Sequence, residues 1–279
     1  MRPAGAAADT DTDGATPKVE IETAVASDYI YRGVSLSERK PTVRSSIDVE
    51  SHGFYGFVQF ASVSLPNSPA AELSLTGGYR WKFAEIDFDI GANYFYYPGQ
   101  MLADGTVNLN YWEYSLLATH SFENVGFKDS DLELKGTMAY SPDVSGTGAR
   151  GAYLEGQVKY EFPAVTLWKR IDWSLIASAG YWRFGNTSPG QGGFPLPSYT
   201  NWRVGLAFEL NDHVKLDLSY FDTSLSREEC FVFTGDTMAT PGGIPNAPSN
   251  PDGLRSRLCG ASLVATLSGK FDLSDLMKK

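Results

Sequence analysis

Long apolar runs are missing from this chain of 279 residues. No stretch approaches the roughly 18 consecutive apolar residues that a membrane-spanning helix needs, which excludes helical spanning. Closed β-barrels stay open as a class, because they too satisfy every backbone polar group internally. Charge is also scarce. Charged residues make up 20% of the chain, below the roughly 25% of ordinary soluble domains. The net charge of −10 argues against nucleic acid as a partner, since neutralising phosphates takes clustered Lys and Arg. Histidine is down to three, His52, His120 and His213. With no G-x-S-x-G present and each histidine at or near an expected turn, a Ser–His nucleophile is not expected, and neither is an enzyme.

Cysteine occurs only as Cys230 and Cys259, at the two ends of one Pro-, Gly- and Asn-rich segment. Cysteines that close a long exposed loop mark a disulfide and an oxidising compartment. The N-terminus lacks an apolar signal core, which reads as a mature form carrying a starter methionine. Residues 1–17 are expected to be a flexible acidic segment, residues 18–271 one β-domain and residues 272–279 a tail.

What the sequence does have is aromatics and glycine: Tyr 15, Phe 16, Trp 6 and Gly 28, a mixture that favours strands and turns. Strict alternation recurs in about twelve segments between Lys18 and Phe271, the strand signal. Leu73, Leu75, Gly77, Tyr79 and Trp81 alternate with Glu72, Ser74, Thr76, Gly78 and Arg80. Ile86, Phe88, Ile90, Ala92, Tyr94 and Tyr96 face away from Asp87, Asp89 and Asn93. The first segment places Val19, Ile21, Val25, Tyr29 and Tyr31 on one face, opposite Glu20, Glu22, Asp28 and Arg32. None of the apolar seams contains a charge.

A soluble sandwich also alternates, so alternation alone does not choose. Three features favour a transmembrane antiparallel up-and-down β-barrel of about twelve strands. Many segments run nine or more residues, suiting a tilted bilayer crossing. Aromatics gather at seam ends, at Tyr29/Tyr31, Tyr79/Trp81, Tyr94/Tyr96 and Tyr220, where an interfacial girdle is required. Long connections fall at every other position (Asp28–Lys40, Pro98–Val107, Ser141–Arg150, Arg183–Tyr199 and Thr223–Cys259), with Leu65–Ala70 in the same series only moderate. Tight ones fall between them (Ser51–Gly53, Lys82–Ala84 and Asn211–His213), although Ser121–Lys128 and Phe162–Ile171 read as longer. Short periplasmic turns and long extracellular loops produce that asymmetry.

The segment SDYIYRGVSLSERKP carries a more specific signal. It resembles the opening signature of the TorF-like porin family, also called the Gcw_chp family, in which a first strand ends in S-D-Y-x-x-R-G-x-S and a proline follows. The matching residues are Ser27, Asp28, Tyr29, Arg32, Gly33, Ser35 and Pro41, and GFYGFVQFASV from Gly53 looks like the family's third strand. The resemblance implies a Gram-negative outer-membrane barrel with a porin-like role. Its expected partners are outer-membrane lipid and lipopolysaccharide, small solutes, and the barrel assembly machinery during biogenesis.

If the apolar seams face lipid, the alternate faces line the lumen. Asp28, Arg32, Arg44, Asp48, Glu72, Arg80, Asp87, Asp89, Glu113 and Arg203 are the candidate lumen residues, with the constriction near Arg32, Arg44 and Asp87/Asp89. Opposed charges in so narrow a bore either pair into a plug or line a solute path. A slight acidic excess points to cationic or neutral solutes. The sequence Asp9-x-Asp11-x-Asp13-Gly14 with Glu20 in twelfth place matches calcium-loop spacing. Pro17, Thr16 and the strand that follows argue for a solvated acidic tail, so no metal or cofactor is expected.

Overall fold

The computed structural model describes residues 17–102, 107–166, 170–210 and 213–273. The wall strands are β1 (Lys18–Ala26), β4 (Thr42–Ser51), β5 (Phe54–Ala61), β6 (Glu72–Phe83), β7 (Ile86–Tyr96), β8 (Tyr111–Phe122), β9 (Asp131–Ser141), β10 (Gly151–Thr166), β11 (Arg170–Phe184), β12 (Tyr199–Leu210), β13 (Val214–Thr223) and β14 (Ser262–Asp272). They form one closed antiparallel barrel of twelve strands, each paired with its neighbours in sequence, and β1 against β14 completes the ring. Two short strands, β2 (Ile30–Tyr31) and β3 (Val34–Ser35), form a separate hairpin, and a helix, α1 (Arg227–Thr234), lies between β13 and β14.

Closure removes every sheet edge, and the alternation decides what faces out. One outward row can be followed strand by strand through Phe271, Ile21, Ile47, Val58, Leu75, Tyr94 and Trp112. Such rows leave Val43, Ile90, Leu154, Val204, Leu206 and Leu267 exposed all round the wall. A continuous apolar belt of this kind belongs against hydrocarbon, and the aromatics rim it. Tyr79, Trp81 and Phe88 stack toward one end, with centroids 6.0 and 5.1 Å apart, and Tyr94 packs with Tyr96 and Trp112 toward the other. Tyr79, Trp81, Tyr94, Tyr96 and Tyr220 thus stand on the outer surface, each on an outward row.

Leu206 sits in the middle of this belt, paired with Leu175 and Leu218 and flanked along β12 by Trp202 and Phe208. Leu206→Arg is expected to cost about 2–4 kcal/mol of stability in lipid vesicles. Reversible folding into vesicles measures this, and a change near zero would mean that the belt does not meet lipid.

The tight connections, 52–53 and 84–85, lie at one end of the barrel, and the long ones, 27–41, 62–71, 97–110, 142–150, 185–198 and 224–261, lie at the other. Two expectations need correction. The segment Phe162–Ile171 is mostly strand: β10 continues through Thr166 past a register shift between Phe162 and Val165. Pro163 is accommodated there, since a bulge spares the ladder bond it cannot make.

The second correction concerns Tyr29 and Tyr31. They do not face lipid, because β1 ends at Ala26 and the chain turns into the lumen, where the two tyrosines are 2% and 8% exposed. Asp9, Asp11, Asp13 and Gly14 lie outside the described residues. Glu20, the fourth carboxylate of that spacing, meets Lys18 and Lys270 at 3.4 and 3.0 Å.

Candidate functional site

The signature segment forms an inward hairpin. Ser27 closes the wall with a backbone bond to the Ala265 carbonyl at 2.9 Å, and its hydroxyl accepts from the Ala265 N–H at 3.1 Å. Beyond it, β2 and β3 pair Ile30 with Ser35 and Tyr31 with Val34. Arg32 and Gly33 are the two central residues of the turn, with φ of 49° and 81°. Positive φ at both positions is the signature of a type I′ hairpin, which normally takes Asn-Gly or Gly-Gly. Arginine in that place is strained, and it is held by its side-chain contacts. A Cβ on Gly33 would lie 2.4 Å from Thr223 Cγ2, so only glycine lets the tip reach the β13 wall.

Each polar residue of the signature has a partner in this arrangement. Asp28 Oδ1 accepts from the Ser35 and Ser37 hydroxyls at 2.6 and 2.8 Å, tying the hairpin's base. The Tyr29 and Tyr97 phenols both donate to Glu72, each at 2.7 Å. Burial, and next the Glu72 carboxylate, push both phenols well above their usual pKa, so they remain donors at physiological pH. Arg32 donates from both terminal nitrogens to Glu113, at 2.7 and 2.8 Å, with side-chain exposures of only 1% and 9%. Its guanidinium also lies 3.9 Å from the Tyr153 ring centroid and 4.4 Å from that of Trp182. Bidentate pairing combined with aromatic stacking is a role that lysine cannot fill.

The long-loop end is sealed over this hairpin. Tyr31, Phe95, Tyr111, Trp182, Phe184 and Tyr199 form an aromatic cluster with Cys230 and Cys259. Helix α1 adds Phe233, whose ring lies 5.2 Å from Phe184 and 5.5 Å from Tyr199. The helix starts in a capping box between Ser226 and Glu229, and the Cys230–Cys259 disulfide pins it to the segment before β14. Ser35 N–H donates to the Leu258 carbonyl at 2.8 Å, so hairpin and disulfide loop hold each other.

Toward the tight-turn end, Arg80 sits among Asp48, Glu50 and Asp89 and lies 3.7 Å from the Tyr55 ring centroid. Lys82 meets Asp87 at 3.8 Å, and Arg203 bonds Asp217 at 2.5 Å. Between this network and the hairpin the lumen holds two chambers of about 230 and 120 Å³. Tyr31, Arg32, Gln59 and Lys135 line both, so the hairpin tip stands at their junction.

The sequence-predicted lumen set is therefore not one ring. Asp28, Arg32, Arg44 and Arg203 line the larger chamber, Asp89 and Glu113 the smaller, and Glu72 lies buried beneath the loops. Asp48 and Arg80 form the network below, and Asp87 lines neither chamber, so it does not share a constriction with Arg32 and Arg44. Sequence reasoning missed Tyr97, Tyr111, Tyr153, Trp182 and Tyr199. Their one signal is that aromatics occur on the charged parity of the strands, close to the long-loop end.

A closed barrel with an apolar outer belt and a polar, loop-capped lumen defines a membrane β-barrel of the outer-membrane type. The chain matches the family described as "Bacterial protein of unknown function (Gcw_chp)" over residues 11–240, and it belongs to that family. No curated protein matches it. Among solved structures, the NanC porin is similar in fold with a TM-score of 0.46 at 10% identity, over 91% of this chain and 100% of that one. The KdgM porin in complex with disordered oligogalacturonate gives 0.45 at 11% identity, over 91% and 99%. The COG4313 outer membrane channel from Pseudomonas putida F1 gives 0.42 at 13% identity, over 96% and 100%.

Proposed function

We propose that this protein is a porin-like barrel of the Gram-negative outer membrane that passes small solutes through a narrow charged lumen, with the β2–β3 hairpin as its constriction. The observation that supports this most is the pair of chambers, each lined in part by charged side chains, that meet at Arg32. A barrel serving only as a scaffold gains nothing from leaving charged, solvent-sized space beneath a finished plug. On this reading the long loops face outward and the tight turns face the periplasm. Lipid and lipopolysaccharide surround the belt, and the barrel assembly machinery inserts the chain. We read the role as transport, and the placement of His52, His120 and His213 away from both chambers supports passage over Ser–His hydrolysis there.

Liposome swelling tests the reading. Vesicles carrying the wild-type protein are expected to admit small polar solutes slowly, and those carrying Arg32→Ala several-fold faster. Vesicles that swell with neither protein would establish a closed barrel that works through its external loops.

A further inference from the structure

We infer that the larger chamber is a binding site for a small zwitterion, a solute carrying one ammonium and one carboxylate group. This inference rests on the solute-passage reading and names the solute class.

Several charged groups on this chamber make no ion pair among the described residues. Of the groups lining this chamber, Arg32, Lys159 and Arg203 are committed to Glu113, Glu161 and Asp217. Six remain without an ion pair among the described residues: the cations Arg44, Lys135 and Lys215, and the anions Glu22, Asp28 and Glu155. They balance, so a solute with net charge of either sign would leave an excess. A dipolar solute would not, and this replaces the cationic preference that the overall acidic balance implies.

Position sharpens this. Glu22, on β1, and Arg44, on β4, belong to adjacent wall strands, with Asp28 on the chain that leaves β1. Lys135 and Glu155 lie on the adjacent strands β9 and β10. In the strand order these two pairs of strands stand opposite each other across the ring. The chamber thus presents both acidic and basic functions from each of two facing walls, with Lys215 added from β13. A molecule with its own two charges can answer either wall.

Besides the Nε of the Glu113-bound Arg32, two atoms of side chains without an ion pair leave the site incomplete as it stands. Asp28 is 5% exposed, and although its Oδ1 is bonded to Ser35 and Ser37, its Oδ2 is buried with no hydrogen-bond donor. Arg44 Nε is likewise buried with no acceptor, while its guanidinium lies 5.4 Å from the Tyr29 ring centroid. Buried polar atoms are ordinarily satisfied, and a carboxylate and a guanidinium left short on one chamber call for a solute ammonium and a solute carboxylate.

The test separates binding from passage. Calorimetric titration of the detergent-solubilised protein with 4-aminobutyrate, butyrate and butylammonium holds the four-carbon chain constant and varies only the charges. 4-Aminobutyrate is expected to bind about tenfold or more tightly than either singly charged analogue. Asp28→Asn, which keeps an Oδ1 acceptor for the two serines, should weaken 4-aminobutyrate and butylammonium but not butyrate. Arg44→Gln should weaken 4-aminobutyrate and butyrate but not butylammonium. Equal or tighter binding of a singly charged analogue, or heat of binding from none of the three, overturns the inference. Swelling assays report on passage independently, so a barrel that conducts without binding fails only this proposal, and one that binds without conducting fails only the passage reading. Heat-modifiable mobility on gels confirms that each variant is folded.

Discussion

Arg32→Ala is expected to destabilise the protein by about 3–5 kcal/mol, the cost of leaving a buried carboxylate without its partner. Glu113, whose side chain is 9% exposed in the intact pair, would keep only the phenol of Tyr31, at 3.3 Å. The loss is not a measure of what the ion pair contributes, because taking both charges out of water was itself costly. Replacing both residues by apolar groups, Arg32→Met with Glu113→Leu, should therefore restore most of the lost stability. Urea unfolding followed by tryptophan fluorescence reads both variants, since Trp182 lies against the Arg32 guanidinium. A single substitution costing under about 1 kcal/mol would place the pair among weakly contributing ones, and the hairpin would then be held by its aromatic contacts alone.

The second large effect belongs to the disulfide. Cys230 and Cys259 are separated by 29 positions, and loop-closure entropy gives the cross-link about 3–4 kcal/mol through the unfolded state. Cys230→Ala with Cys259→Ala is expected to lower stability by that amount. It should also expose the loop to trypsin at Arg255 and the already exposed Arg257, because α1 loses its covalent tie to the segment before β14. Denaturant midpoints and proteolysis rates, compared with the oxidised wild type, check both. Unchanged midpoints would mean that the aromatic packing of Phe233 already fixes the loop.

The barrel was legible because the information that specifies it is local. Period-two alternation is present in Leu73–Trp81 and Ile86–Tyr96 themselves, and the register follows once one face is apolar. The misreading of Tyr29 and Tyr31 shows where local information stops. The odd positions Val25, Tyr29 and Tyr31 still read apolar on either side of Ser27, so that parity alone does not mark the departure from the wall. The departure is decided by acceptors far along the chain, with Glu72 43 positions from Tyr29 and Glu113 81 positions from Arg32. Phe162–Ile171 departs in the opposite direction: it reads as a connection, whereas β10 runs on through Thr166 past a register shift that accommodates Pro163.

Parity also assigns a residue to the lumen without giving its depth along the barrel axis. It brought Asp87 together with Arg32 on paper, whereas the structure gives Asp87 to Lys82 and keeps it out of the chamber Arg32 lines. The inner aromatics stayed invisible for a related reason. Trp182 beside Tyr181 looks like one more girdle residue, and only the closed ring shows which of the two points inward.

The hairpin's partners also bear on the order in which the molecule is built. A segment from near the start of the chain takes its backbone bonds from Ala265 and Leu258, and Arg39 donates to the Gly260 and Ala261 carbonyls 221 and 222 positions away. Contacts that distant cannot form before the last strand has arrived, and closing so long a loop is slow. The hairpin therefore gains its last ties to the wall only when β14 zips onto β1, so the stopper is locked in by the closing of the ring.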